Sequence, residues 1–344
     1  MKIRRSTVVL CTSLIVCLYG VGNVTAIVCL HPSLPIASDA LVSSSAVRVE
    51  TVEVDSWDGL SPAEPDDNIY YVFVPKGTVP RDAFIILPGG NCDPKAYAPA
   101  AHAIAAKGYL TLIVPVPDCV AMPSGHKRAD KIIEDFEEIE NWVIGGHSVG
   151  GTAACIYADN HSTIDGVVIW ASKSPGGFED TDMKVLTVYG SRDGRVGPED
   201  VLENAGSLPA DTIFKEIKGG NHTQFGYFDT TPDPYMTEDN AATITLEKQQ
   251  KIIVRVTTDF LNMISGRTAC LAANLLGKED SRLDIVRQFR DEALSEISMG
   301  NKFIEFYYRN SDGIIAVLDK NPTIKESAKK VLEVLVPMIK LLLK

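Results

Sequence analysis

The chain has 344 residues, 45% of them hydrophobic and 7% aromatic. That composition excludes a disordered polymer, and the length predicts one large domain with an appendage. A formal net charge of −12 argues against a nucleic-acid partner, and the acidic run from Glu134 to Glu140 reads as a solvated helix face.

The chain opens with the pattern of an export signal. Lys2, Arg4 and Arg5 precede an apolar stretch from Thr7 to Leu18, and Val24-Thr25-Ala26 offers small residues for cleavage, which assigns residues 1–26 to a signal peptide. An uncleaved anchor is the alternative, because apolar character continues to Leu30, although Gly20, Gly22 and Asn23 weaken that half as a span. Both readings export the protein, to a periplasmic, extracellular or membrane-associated location.

From Val47 the pattern alternates between strands and helices. Val47 to Val54 and Ile69 to Val74 read as early strands, and Ala83 to Leu87 as a buried strand ended by Pro88-Gly89-Gly90. An alanine-rich helix from Asp93 to Lys107, a strand from Tyr109 to Val114 and a helix from His126 to Glu140 follow. Further strands are expected at Asn141 to Ile144, Gly166 to Trp170, Lys184 to Tyr189 and Thr212 to Ile217. This order predicts an α/β fold, a mostly parallel central sheet flanked by helices, with reactive groups beyond the carboxyl ends of the strands.

Gly146-His147-Ser148-Val149-Gly150 lies between a strand and a small-residue helix, the setting of a nucleophile elbow. Two strands later, Gly190-Ser191-Arg192-Asp193-Gly194 puts a carboxylate on a glycine-bounded loop. After the next strand, Gly219-Gly220-Asn221-His222 supplies a base. The chain order Ser148, Asp193, His222 is that of α/β hydrolases, with His222 taking the serine proton and Asp193 stabilising the imidazolium. His102, His147 and His161 are the weaker candidates for the base. The oxyanion donors are expected at the N–H of Val149 and at Gly90 or Asn91. Such chemistry calls for no cofactor and no metal. No insertion large enough for a lid separates Trp170 from Lys184, which predicts a shallow site for small or surface-presented esters.

These motifs, together with Ile86-Leu87-Pro88-Gly89-Gly90 and Asp93 to Pro99, resemble the α/β-hydrolase fold-5 group, relatives of the dienelactone-hydrolase type. The resemblance covers Val47 to Ile264 and implies an α/β-hydrolase domain over residues 47–264, with Ser148, Asp193 and His222 as its triad. It implies a hydrolase and leaves the substrate open; the leading reading is a secreted serine hydrolase of carboxylic esters with a small-molecule ester substrate. Cys92 and Cys119 depart from the group. Both follow neighbouring buried strands, and in an oxidising compartment they are expected either to bridge across the pocket rim or to remain buried thiols.

The helix from Ile244 to Ile264 closes that domain at Ser265-Gly266. Residues 268–344 then read as a small helical C-terminal module. Cys270 to Asn274, Val286 to Asp291 and Phe306 to Ser311 resemble a module of exported bacterial proteins that opens with a Cys-Phe-Ile box, here with Leu271 and Ala272 in place of Phe and Ile. The resemblance implies sorting or anchoring, and an exported surface or binding protein on a hydrolase scaffold is the alternative function. The tail from Asp319 to Lys344 holds six lysines against Asp319, Glu326 and Glu333 amid dense apolar residues. It reads as a helix that docks on its own module or contacts a membrane surface.

Overall fold

The computed structural model describes residue 29, residues 31–54, residue 57, residues 68–116, residue 119, and residues 121–122, 124–230, 239–266, 271–277, 280–294 and 297–343. The export signal of residues 1–26 and the cysteine of the C-terminal box, Cys270, lie outside the described residues.

Eight strands form one sheet: β1 (Val47–Glu53), β2 (Ile69–Pro75), β3 (Asp82–Leu87), β4 (Leu110–Ile113), β5 (Asn141–His147), β6 (Ile164–Trp170), β7 (Lys184–Gly190) and β8 (Ile213–Ile217). Their order is β1-β2-β4-β3-β5-β6-β7-β8. β1 and β2 pair antiparallel, as do β2 and β4, and every later pairing is parallel. The chemistry of each strand accounts for its place. All six residues of β3 are buried, as a central parallel strand covered on both faces requires. β1 sits at an edge and exposes Arg48, Glu50 and Glu53, charges that discourage edge-to-edge pairing.

Successive residues of β3 point to opposite faces and feed two separate cores. Ile85 and Leu87 pack with Ile132 of α3 (Arg128–Asp135) and with Ala154 and Tyr157 of α4 (Val149–Asp159). Phe84 and Ile86 pack with Ala101 and Ile104 of α2 (Ala98–Ala105) and with Ile253 and Phe260 of α6 (Leu246–Ile264). Two short helices that no periodicity announced, α1 (Pro35–Asp39) and α5 (Pro198–Glu203), each begin on a proline.

Two expected helices are shorter than their sequence patterns. The first opens as a tight turn, Pro94–Tyr97, whose Asp93 side chain accepts from the Lys95 N–H at 2.9 Å, and becomes α-helical only at Ala98. The second, α3, ends at Asp135, because continuing it would place Glu137, Glu138 and Glu140 at the negative end of the helix dipole.

α6 ends with Gly266 at φ 65°, the left-handed conformation that closes a helix. Beyond it the regular elements among the described residues are helices: α7 (Leu271–Leu276), α8 (Arg282–Phe289), α9 (Ser298–Asp319) and α10 (Pro322–Leu342). They bury a small cluster of their own, Ala272, Leu276 and Leu283 with Val286 and Leu332 against it. Arg290 reaches Asp259 of α6 at 3.1 Å.

Candidate active site

The expected nucleophile, Ser148, stands where the sheet delivers it. β5 ends at His147, α4 begins at Val149, and Ser148 between them holds φ 51° and ψ −123°. A positive φ is costly for a residue with a side chain, on the order of 1–3 kcal/mol, so the surroundings must enforce it. The serine N–H donates to the Trp170 carbonyl of β6 at 2.9 Å. A Cβ on Gly146 would sit 2.5 Å from the Leu87 carbonyl oxygen, and one on Gly150 would press into the same oxygen. Both glycines are therefore steric requirements of the turn, as the motif predicts.

Asp193 and His222 meet on the loops after β7 and β8. The imidazole Nδ1 donates to Asp193 Oδ2 at 2.9 Å, with both residues buried. The other carboxylate oxygen accepts from the N–H groups of Arg195 at 2.8 Å and Val196 at 2.7 Å. The acid is thus fixed as an oriented anion, and the proton it holds on Nδ1 leaves Nε2 as the basic nitrogen. The His222 ring lies 4.6 Å, centroid to centroid, from the ring of His147, the residue that precedes the serine.

The loop after β3 decides between the two expected oxyanion donors. The Asn91 N–H donates to the Cys119 carbonyl at 2.7 Å, so that donor is already committed. Gly90 lies against Val149, with a Cβ built on it 3.4 Å from the valine Cγ2, and its N–H has no hydrogen bond within the described protein. Val149 occupies the first position of α4, where N–H groups are free of helical partners. Gly90 and Val149 therefore form the available donor pair, and Asn91 is corrected to a shaping role, held at φ 59°.

The expected Cys92–Cys119 bridge is also corrected. Cys119 is bonded to Cys29, and Cys92 is a buried thiol outside any disulfide, its Sγ 3.4 Å from the Gly90 carbonyl. Cys29 stands three residues beyond the expected signal peptide of residues 1–26, in a stretch with no strand or helix pattern to place it beside the loop after β3. That segment straps onto the oxyanion loop: His31 N–H donates to the Asn91 carbonyl at 3.0 Å, and Asp93 N–H to the His31 carbonyl at 3.0 Å.

Three supporting groups carried little or no sequence signal. The Tyr97 hydroxyl accepts from the Gly89 N–H and lies 2.9 Å from His147 Nδ1, joining the oxyanion loop to the elbow. Burial, and then the charge of His222, hold the His147 pKa well below its ordinary value, while burial raises that of Tyr97. Gln249 of α6 brackets the residue before His222, accepting from the Asn221 N–H at 3.0 Å and donating to its carbonyl at 2.8 Å. A fully buried glutamine on the face shared with Ile253, Val256 and Phe260 is the one available clue. Asp239 ties the acid loop to the base loop, accepting from Gly194 at 2.9 Å and from the Thr223 N–H at 2.7 Å. Among the described residues no group of three or more His, Cys, Asp or Glu side chains is placed to hold a metal ion.

An elbow serine, a buried Asp–His pair and two open N–H groups at the carboxyl edge of a mostly parallel sheet define an α/β-hydrolase fold. Residues 83–251, which contain all of these groups, match the model of the alpha/beta hydrolase family. Among solved structures the chain is similar to a ferulic acid esterase from Streptomyces cinnamoneus, at 13% identity and a TM-score of 0.51 over 65% of this chain and 92% of that one. It also matches a truncated carbohydrate esterase from gut microbiota, at 15% identity and a TM-score of 0.46 over 65% and 99% of the two chains. At 13% identity the first likeness speaks to a shared fold. Comparison with curated proteins finds no match.

Proposed function

We propose that the protein is an exported serine hydrolase of carboxylesterase type, which cleaves a small or surface-presented ester through an acyl-enzyme on Ser148. The observation that carries this reading is the buried Asp193–His222 pair, whose imidazole lies 4.6 Å from the ring of His147, the residue before a serine held at φ 51° on its elbow. His222 Nε2 takes the serine proton as Oγ bonds to the ester carbonyl carbon. The resulting oxyanion is met by the N–H groups of Gly90 and Val149. Collapse of this intermediate breaks the ester bond, and the departing alcohol receives the proton from His222. Water then repeats the sequence, releasing the carboxylic acid and restoring the serine.

A small ester is supported by the connection between β6 and β7, which forms no helix and buries Ser172, Ser174 and Phe178. Export is supported by the signal-like opening and by the Cys29–Cys119 disulfide, a bond that persists in oxidising compartments. A fluorophosphonate probe separates this enzyme from a surface protein that keeps only the scaffold. It is expected to label the wild type at Ser148, with Ser148→Ala and His222→Ala each losing turnover by several orders of magnitude while remaining folded. An unlabelled wild type refutes the enzyme reading, and near-normal esterase activity in His222→Ala reassigns the base. A panel of esters of graded acyl length is expected to show activity falling with chain length.

A further inference from the structure

Twelve of the sixteen large exposed apolar side chains among the described residues fall within residues 297–342, so the uncovered apolar surface belongs to the C-terminal helices. Its most ordered part is on α10. Val331, Val334, Leu335, Met338, Leu341 and Leu342 are 44–73% exposed, and their spacing of i, i+3, i+4, i+7, i+10 and i+11 places them in one stripe about 16 Å long. This stripe is not the face by which the helix packs. Val336 is 2% exposed, and Leu332 lies against the cluster of Ala272, Leu276 and Leu283. α10 therefore has two apolar faces, one docked and one uncovered.

Charge selects the occupant of the uncovered face. Residues 319–344 carry six lysines against three acidic residues, within a chain of net charge −12. Glu333 is engaged by Arg282 at 3.2 Å, and exposed Lys330, one helical turn before Val334, borders the stripe. Two copies of so acidic a protein repel one another, and a stripe this short has a footprint of roughly 200 Å², below the roughly 800 Å² per partner of a stable protein interface. An anionic lipid surface demands less. It attracts the lysines, repels the acidic body so that only this end approaches, and accepts a helix lying flat with its apolar side chains among the acyl chains. No helix among the described residues is long and apolar enough to cross a membrane, and α10 carries Pro337 within it.

We propose that the outer face of α10 is a lipid-surface contact that seats the protein on anionic membranes in the plane of the headgroups. Lys330 then lies at headgroup level, with its carbon stem along the apolar stripe. The test is cosedimentation of the full-length protein with vesicles of phosphatidylglycerol and phosphatidylcholine, beside vesicles of phosphatidylcholine alone. The wild type is expected to partition onto the anionic vesicles and to be released by salt. The triple variant Leu335→Glu/Met338→Glu/Leu342→Glu changes only exposed positions and is expected to lower that partition by about tenfold or more with unchanged ester turnover. Lys330→Glu is expected to weaken binding at low salt alone. Equal partition of the triple variant and the wild type overturns the proposal. So does an absence of vesicle binding accompanied by light scattering that shows a dimer which the triple variant dissociates.

Discussion

His147 shows how a residue adjacent to a motif acquires a task from its surroundings. Its ring stacks on Phe225 at 5.6 Å, its Nδ1 is held by Tyr97, and it lies against the backbone of His222. Burial and the nearby charge of His222 hold it neutral, with a pKa well below the ordinary 6.5. In the unfolded chain the same imidazole takes up a proton near pH 6.5, so below that pH the unfolded state binds more protons than the folded state. Its contribution to stability is complete above about pH 6.5 and is lost as the pH falls toward the depressed folded value. Between about pH 6.5 and 5.5 the wild type is expected to lose about 1 kcal/mol more than His147→Asn, which does not titrate. Urea unfolding of both proteins across that interval is the measurement, and parallel stability curves would refute the assignment. The sequence made the three triad candidates readable because each follows a strand in a fixed order. Asn91 was not separable from Gly90, since the bond from its N–H to Cys119 joins residues 28 positions apart and leaves no local pattern.

Among the elements, the strands were the most legible and the strap before α1 the least. Continuous apolar runs such as Phe84 to Leu87 identify buried parallel strands on their own, and the glycines of the elbow announce a collision that the structure realises. Residues 29 to 33 offer no periodicity. Cys29, His31 and Ser33 are placed by a disulfide to a residue 90 positions later and by isolated bridges, His31 to Cys92 and Ser33 to Phe228. This strap holds the oxyanion loop from outside: Cys29 fixes Cys119, whose carbonyl holds Asn91, the neighbour of the Gly90 donor. In the chain-entropy account a loop of this length contributes about 4–5 kcal/mol to stability. A looser loop costs more in the transition state than in substrate binding, because the oxyanion forms only during reaction. Cys29→Ser is accordingly expected to lower kcat by about tenfold or more with little change in KM, at a temperature where circular dichroism shows the variant folded. Cys92→Ser, which leaves the disulfide intact, is expected to stay near the wild-type kcat. Equal kcat values for Cys29→Ser and the wild type would show that the strap serves stability alone.

At the scale of the whole molecule, the hydrolase body and the C-terminal helices obtain their stability from separate sources. The two cores on the faces of the sheet draw on residues from Val47 to Leu261, whereas the cluster of Ala272, Leu276 and Leu283 draws on the C-terminal helices alone. The described link of opposite charge between them, Arg290 to Asp259, is partly solvent-exposed, and such pairs contribute about 1 kcal/mol or less. Weak coupling between a large core and a small one predicts two unfolding steps rather than one. Calorimetry of the full chain is expected to resolve a minor transition, belonging to residues 271–342, below the main one. Leu283 is 2% exposed at the centre of the small cluster, and Leu283→Ala removes about 2–5 kcal/mol from it. That substitution is expected to lower the minor transition, leave the main one in place and preserve turnover at Ser148. A single transition that shifts as a whole in Leu283→Ala would show that the body and the helices fold as one cooperative unit, and that the C-terminal helices support the site as well as carrying a surface of their own.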